Sequence, residues 1–368
     1  MKFRAAVFNG VGQPMTLDTL EMDALQPTDV LVRLRASGLC HTDLEVIQGT
    51  LGYPVPIVLG HEGAGIVEAV GRAVASVKVG DHVICSWNPS CGQCFYCQRA
   101  TPILCEPFKK HEPQGRLLDG SIRMHRDGQP VHHYFVTSTH AEYTVLPASG
   151  AIAIDKQMPF DRACLIGCGV MTGVGAVVRK ARVEPGASVL VIGCGAVGLN
   201  AVQGARIAGA ATIIATDLDP VRRALSTTFG ATHTVDAGSP DVLEQVRALT
   251  AGRGADHVFE AAGHPSAFRL SLEAVRPAGQ VVWLGKLNVD RELSLRWGSL
   301  MGEKRIVRSS YGDALPQRDF PWLVSLYLDG RLMLDELITR RIGLDQINDG
   351  FAAMARGEGL RTVIELPS

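Results

Sequence analysis

At 368 residues, with 46% hydrophobic and 20% charged residues, 40 glycines and a formal net charge of -1, the chain has the make-up of an ordinary globular protein rich in turns. The near balance of charge lacks the basic excess that marks a nucleic-acid or membrane-surface partner, so neither is expected. The length exceeds what one hydrophobic core serves, and two domains are expected.

Met1-Lys2-Phe3-Arg4 runs into an alternating segment rather than a signal-peptide pattern, and no apolar run is expected to reach transmembrane length, so a cytoplasmic location is expected. Nine cysteines, an odd number, suit thiolates and metal better than a disulfide framework. Lys2 to Asn9 and Asp29 to Ala36 alternate at period two, as half-buried strands do. They lead to Gly38-Leu39-Cys40-His41-Thr42-Asp43, which reads together with Gly60-His61-Glu62-Gly63. A thiol, an imidazole and two carboxylates among glycines suit a metal site, with Cys40 and His61 as the first two zinc ligands. A catalytic zinc needs three protein ligands and one open position, so a third ligand is required.

From Ile57 to Trp87 short valine-rich runs, Val74 to Val79 among them, are cut by glycines, which predicts a small, sharply turning β-barrel. Cys91, Cys94, Cys97 and Cys105 follow with the spacing C-x2-C-x2-C-x7-C, able to close around one tetrahedral structural zinc. Residues 106 to 140 read as a polar loop whose Lys109, Lys110, His111, His125, His132 and His133 form solvated surface. Gly167-Cys168-Gly169 reads as a ligand-bearing turn. Cys168 is a candidate third ligand, and Cys164 or Cys85 would serve as well on sequence alone.

The chain then changes character. Ser188-Val189-Leu190-Val191-Ile192 is typical of a buried parallel strand, and Gly193-Cys194-Gly195-Ala196-Val197-Gly198 follows directly as G-x-G-x-x-G. A helix-like stretch runs to Ala208, and a second strand, Thr212 to Thr216, ends in Asp217. That carboxylate should bind ribose hydroxyls and repel a 2′-phosphate, which favours NAD over NADP despite Arg222 and Arg223 nearby. The remaining βα alternation, with helices at Asp241 to Leu249 and from Ser266, completes a doubly wound sheet.

These motifs together resemble a zinc-dependent alcohol dehydrogenase of the medium-chain dehydrogenase/reductase superfamily, nearest the long-loop branch that includes glutathione-dependent formaldehyde dehydrogenase. The resemblance implies an α/β fold with a GroES-like β-barrel catalytic domain at 1–169 and 312–368 and a Rossmann NAD-binding domain at 170–311. It implies that Cys168 completes the catalytic zinc set with Cys40 and His61, giving two zinc ions per chain, one catalytic and one structural. It further implies that Asp43 orients His61, that Glu62 lies near the metal, that Thr42 passes a proton outward, and that His41 and Arg361 contact the cofactor pyrophosphate. Thr172 and Arg222 join the expected cofactor contacts. Glu45 stands where many relatives place a histidine at the outer end of the proton relay. Trp87 matches a pocket-lining aromatic position, and with Phe108, Leu117 and Met124 it points to an aryl or long-chain primary alcohol, or its aldehyde, as substrate. A thiol adduct such as S-(hydroxymethyl)glutathione, held by Lys109 and Lys110, is the alternative, and a non-catalytic nucleotide-binding protein on the same fold is a second. A homo-oligomer is expected, a dimer before a tetramer.

Overall fold

The alternation at the start of the chain becomes the strand Lys2–Phe8 in the computed structural model, which describes residues 1–367. The chain divides into two units, Met1–Cys168 with the stretch from Leu315 onward, and Gly169–Ala314.

In the first unit Lys2–Phe8, Thr16–Met22, Met124–Arg126, Gln129–His133 and Ile57–Val58 close into a barrel. A second sheet is built on the ten-residue strand Asp29–Gly38, buried along most of its length. It pairs antiparallel with Glu62–Val70, Tyr143–Pro147 and the late strand Arg361–Glu365. Gly38 lies opposite Glu62 on one side and Val363 on the other, so a single strand end gathers three segments far apart in sequence.

The second unit is a six-stranded sheet, parallel throughout, in the order His233–Asp236, Thr212–Asp217, Ser188–Ile192, Ala255–Glu260, Val275–Trp283, Arg305–Arg308. Chain order reverses direction between Ser188–Ile192 and Ala255–Glu260, and such a switch point opens a crevice at the carboxyl ends of the strands. The helix Ala196–Ala208 starts there.

Five expectations need correction. Val74 to Val79 is not a strand: only Val77 is buried, and the segment is a turn-rich connection that ends at Gly80 with φ +85°. Residues 106–140 are not simply a loop, since they form the helix Glu106–His111 and a hairpin that completes the barrel. Nor are all their histidines solvated. His133 is fully buried, burial pushes its pKa down to about 3, and its Nε2 accepts the Arg123 backbone N–H at 3.1 Å. Gly167-Cys168-Gly169 is not a turn; it lies in the π-helical stretch Ile166–Val170, whose wider winding is a common device at functional positions. Finally, the helix Phe160–Ala181 is long and apolar enough to cross a membrane by length and composition, but 72% of its most apolar window is buried within the protein, as in a core helix.

The long excursion is tied to the barrel by charge. Arg123, 5% exposed at its side chain, donates from Nε to Asp29 Oδ2 at 2.9 Å and from Nη2 to Asp119 Oδ2 at 2.6 Å. Truncating one member of a buried pair strands the other, at a cost of about 3–5 kcal/mol. Arg123→Met is therefore expected to lower unfolding free energy by about 3 kcal/mol, measured by urea denaturation. A midpoint unchanged from wild type would show that Asp29 finds other partners.

Candidate active site

Cys40, His61, Glu62 and Cys168 each offer one ligand atom, and these atoms lie within 4.8 Å of one another. Their approach follows from the sheet register. Cys40 follows the end of Asp29–Gly38 and caps the short helix His41–Ile47, while His61 immediately precedes Glu62–Val70. Asp43 joins the two segments: its carboxylate, with no solvent exposure, accepts the backbone N–H of Cys40 at 3.1 Å and of Gly60 at 3.1 Å. Its Oδ1 also lies 3.2 Å from His61 Nδ1. An ionised carboxylate can only accept, so Nδ1 carries the proton and Nε2 is left as the ligand atom.

Behind the ligands Glu62 pairs with Arg361, both buried. Burial pushes the Glu62 carboxyl up to about 7 against the pull of the guanidinium. Gly38 permits this pair: a Cβ there would stand 2.2 Å from Glu62 Oε2 and 3.2 Å from Arg361 Nη2. The two thiols form a proton-sharing couple. The Cys168 S–H donates to Cys40 and holds the Cys40 pKa well below the usual thiol range, while the same bond and burial raise that of Cys168. Two cysteine sulfurs and a tautomer-fixed imidazole, with ligand atoms converging, are the donor set a zinc ion takes. Cys85 and Cys164 lie outside this group. Burial pushes the Cys85 thiol up to about 12, and Cys164 Sγ donates to the Asp161 carbonyl at 3.3 Å.

Cys91, Cys94, Cys97 and Cys105 form a second group within the same 4.8 Å limit, all as free thiols. Backbone N–H groups point at the sulfurs: Cys91 to Cys105 Sγ at 3.3 Å, Cys94 to Cys91 Sγ at 3.4 Å, and Glu106 to Cys94 Sγ at 3.5 Å. The Glu106 amide, with that of Cys97, lowers the Cys94 thiol to about 6. Such bonds favour thiolate over thiol, which fits a closed four-sulfur metal site.

In the second unit the glycine turn has the shape the motif requires. Gly193 has φ +96°, and a Cβ on Gly198 would meet the Gly193 carbonyl oxygen at 1.7 Å, so neither position tolerates a side chain. Gly195 caps the helix that begins at Ala196, leaving the first amides at Ala196, Val197 and Gly198 for an anion. Asp217, at the end of the neighbouring strand, accepts the Cys194 N–H at 2.7 Å and the Asp219 N–H at 2.9 Å. Arg222 faces Asp219 at 3.7 Å, and Arg223 bonds the carbonyls of Asp217 and Leu218 and pairs with Asp236 at 3.3 Å. Thr172, partly exposed, belongs to this unit; His41, exposed, and Glu45, partly buried, sit on the helix His41–Ile47 of the other.

Sequence reasoning placed Phe108, Leu117 and Met124 in a substrate pocket; all three are buried in the barrel core beside Phe3 and Leu20. Trp87 is only partly buried and packs against Phe135, centroids 5.1 Å apart. The aromatic residues that face the ligand His61 are ones the sequence did not single out. Phe135 lies 5.4 Å and Tyr134 5.8 Å from its ring, with Tyr53 4.9 Å from Tyr134. The adjacent pair Tyr134-Phe135 was the available signal, hidden in a stretch that reads as polar loop.

Comparison with known proteins agrees with this architecture. The profile of the alcohol dehydrogenase GroES-like domain matches residues 26–156, and that of zinc-binding dehydrogenases matches residues 196–329. S-(hydroxymethyl)glutathione dehydrogenases of Paracoccus denitrificans and Escherichia coli are 37% and 39% identical over 373 residues, covering 99% of this chain and 100% of theirs. Among solved structures, an alcohol dehydrogenase zinc-binding domain protein from Burkholderia ambifaria aligns over 100% of both chains with TM-score 0.96 and 37% identity. Benzyl alcohol dehydrogenase from Acinetobacter calcoaceticus aligns over 100% of both chains with TM-score 0.94 and 31% identity.

The two metal sites should separate by function. Metal analysis is expected to find about two zinc ions per chain, one closed by four thiolates and one with an open position. Cys40→Ala should lose one zinc and hydride transfer while keeping NAD affinity, since the glycine turn needs no metal. Cys97→Ala should instead lower folded yield and stability, with activity loss tracking unfolding. Two zinc ions and normal turnover in Cys40→Ala would remove the catalytic assignment.

Proposed function

The chain belongs to the zinc-dependent alcohol dehydrogenases of the medium-chain dehydrogenase/reductase superfamily, and within it we propose that this enzyme oxidises aryl-substituted primary alcohols reversibly to aldehydes. The observation that carries this reading is the aromatic wall on the ligand imidazole, Phe135 at 5.4 Å and Tyr134 at 5.8 Å from His61, extended by Trp87. Aromatic rings pack edge-to-face or offset at such separations, with a gain beyond simple burial. The likeness to a benzyl alcohol dehydrogenase supports the same substrate class.

Cys40, His61 and Cys168 would hold a zinc ion, which would supply a Lewis acid for the carbinol oxygen, and NAD would supply the hydride acceptor. The chain's own residues manage geometry and the proton. Asp43 fixes the imidazole, and Glu62 with Arg361 backs the thiols. Thr42 Oγ1, 3.8 Å from Cys40 Sγ, takes the carbinol proton, and Glu45, three residues further along the same helix, lies on the same face to receive it. His41 and Arg361 serve the cofactor pyrophosphate, although Arg361 is already engaged by Glu62.

A second reading, oxidation of S-(hydroxymethyl)glutathione, has the stronger support in identity, because the relatives at 37% and 39% carry that name against 31% for the benzyl enzyme. Lys109 and Lys110, exposed in the last turn of Glu106–His111, would hold its carboxylates. We further propose a cytoplasmic homodimer. Nine free thiols suit a reducing compartment. Val289, Trp297 and Met301, 90%, 77% and 61% exposed, precede the sheet-edge strand Arg305–Arg308 and suit a subunit contact.

Steady-state kinetics separate the two substrate readings. Benzyl alcohol is expected to exceed ethanol in kcat/KM by at least about tenfold, the order of discrimination that a hydrophobic pocket gives. Turnover with formaldehyde plus glutathione that surpasses every aryl alcohol would replace the first reading by the second. NAD should be preferred over NADP, and Asp217→Gly should narrow that preference. A wild type faster with NADP would refute the role given to Asp217.

A further inference from the structure

Gly60 is held at both ends of its backbone, and Asp43 accounts for only one of them. Its N–H goes to Asp43, but its carbonyl, part of the peptide plane that leads into the ligand His61, accepts the Thr139 N–H at 2.9 Å and the Thr137 hydroxyl at 3.3 Å. One residue back, the Leu59 carbonyl accepts the His140 N–H at 3.0 Å. The segment that makes these bonds is wholly buried from Thr137 to His140. Its backbone is also strained. Phe135, Val136 and Ser138 have φ +46°, +60° and +45°, a region that side chains rarely adopt, β-branched ones least of all. Strain of this kind persists only where the surroundings enforce it, and it collects at functional sites.

The surroundings here are the two glycines that flank His61-Glu62. A Cβ on Gly60 would stand 2.6 Å from both Thr139 Oγ1 and His140 Nδ1, and one on Gly63 would stand 2.5 Å from Thr139 Cγ2. The Thr139 side chain thus fills the room that both glycines leave. Its hydroxyl lies 2.7 Å from Ser37 Oγ, which also lies 3.0 Å from His140 Nδ1. Ser37 pairs with Gly63 in the sheet, on the strand that leads to Cys40. A buried hydrogen-bonded cluster therefore ties the strand that delivers one ligand to the strand entrance that delivers another, independently of Asp43.

We propose that Thr139, with Ser37 and His140 behind it, is a positioning residue for the metal, setting the backbone of His61 so that its imidazole meets Cys40 and Cys168 where one ion can take all three. Asp43 fixes the ring, and Thr139 fixes the peptide that carries it. A shift of Gly60 and His61 would unpair several buried groups at once, which makes any other placement of the imidazole costly. Groups that orient a ligand from behind change metal affinity by about 10–100-fold when they are removed. The inference rests on the zinc assignment at Cys40, His61 and Cys168 and on neither substrate reading.

The test follows the two zinc ions separately in zinc-loaded wild type, Thr139→Val, Thr139→Ser, Ser37→Ala and Arg123→Met. Timed removal by EDTA gives the release rates, and the visible absorption after cobalt replaces the catalytic zinc reports its ligand geometry. Valine keeps the outline of threonine without the hydroxyl. Thr139→Val and Ser37→Ala are expected to release the zinc at Cys40, His61 and Cys168 about tenfold faster than wild type and to shift the cobalt band, while the four-thiolate zinc stays bound. Thr139→Ser, which restores the hydroxyl, should recover most of the wild-type behaviour. Arg123→Met, destabilised elsewhere in the same unit, should leave both readings unchanged, and this separates positioning from stability. Wild-type release and an unshifted cobalt band in Thr139→Val and Ser37→Ala would overturn the positioning role, as would a loss of both zinc ions that follows the urea midpoint. If Thr139→Val does not fold, Ser37→Ala breaks the same bond from the other strand and decides alone. A wild type that takes up no zinc at Cys40, His61 and Cys168 would remove the metal assignment itself, and the inference with it.

Discussion

One buried carboxylate holds the centre of this molecule together. Asp43 accepts from Cys40 N, Gly60 N and His61 Nδ1 at 3.1, 3.1 and 3.2 Å, so a helix start and a strand entrance about twenty residues apart are locked to one another before any metal arrives. Each bond does a separate job: the first fixes the backbone that carries one sulfur, the second fixes the residue before the imidazole, and the third fixes the ring and its tautomer. Because Asp43 is wholly buried, these donors are its only compensation among the described residues, and loss of any one would be felt by the other two.

The charge around that lock has to balance in a dry place. Two sulfurs and two carboxylates crowd one another, and Arg361, brought in by the last strand of the unit, is the cation that offsets them. The elevated pKa of Glu62 shows that the offset is partial, since burial outweighs the pull of Arg361. A divalent cation among the ligand atoms would supply what is missing, and affinity for a metal is the expected property of such an arrangement. The GroES-like unit therefore carries its own reason to bind zinc, apart from any resemblance.

How much of this was legible in the sequence follows the range of each interaction. Cysteine spacing and the glycine turn are local, so Cys91 to Cys105 and Gly193 to Gly198 could be read directly, as could the strand that ends in Asp217. The third ligand could not, because Cys168 reaches Cys40 only through the packing of the helix Phe160–Ala181, and its π-helical winding leaves no pattern in the letters. Polarity misled most between 106 and 140. A stretch dense in charge and histidine reads as surface, yet Arg123 and His133 are buried, with Asp29, 94 residues earlier in the sequence but adjacent in the fold, there to meet the guanidinium. The aromatic wall was hidden in the same stretch. Phe108, Leu117 and Met124 were noticed because they are apolar, and they are in the core for that same reason.

In the dinucleotide half the cations beside the turn are already paired. Arg222 and Arg223 follow Asp217 closely and would be the natural partners of a 2′-phosphate. Arg223, however, is committed to Asp236 and to the carbonyls of Asp217 and Leu218, while Arg222 faces Asp219. Asp217 itself is held by the amides of Cys194 and Asp219, so its oxygens stay in place as acceptors beside the turn. A phosphate placed there would meet a fixed negative charge and would have to take each arginine from an existing partner, whereas ribose hydroxyls need only donate to oxygens already positioned. The proposed preference for NAD would thus arise from how neighbouring charges are paired as much as from the carboxylate, and it would be carried by two arginines whose sequence positions alone would favour a 2′-phosphate.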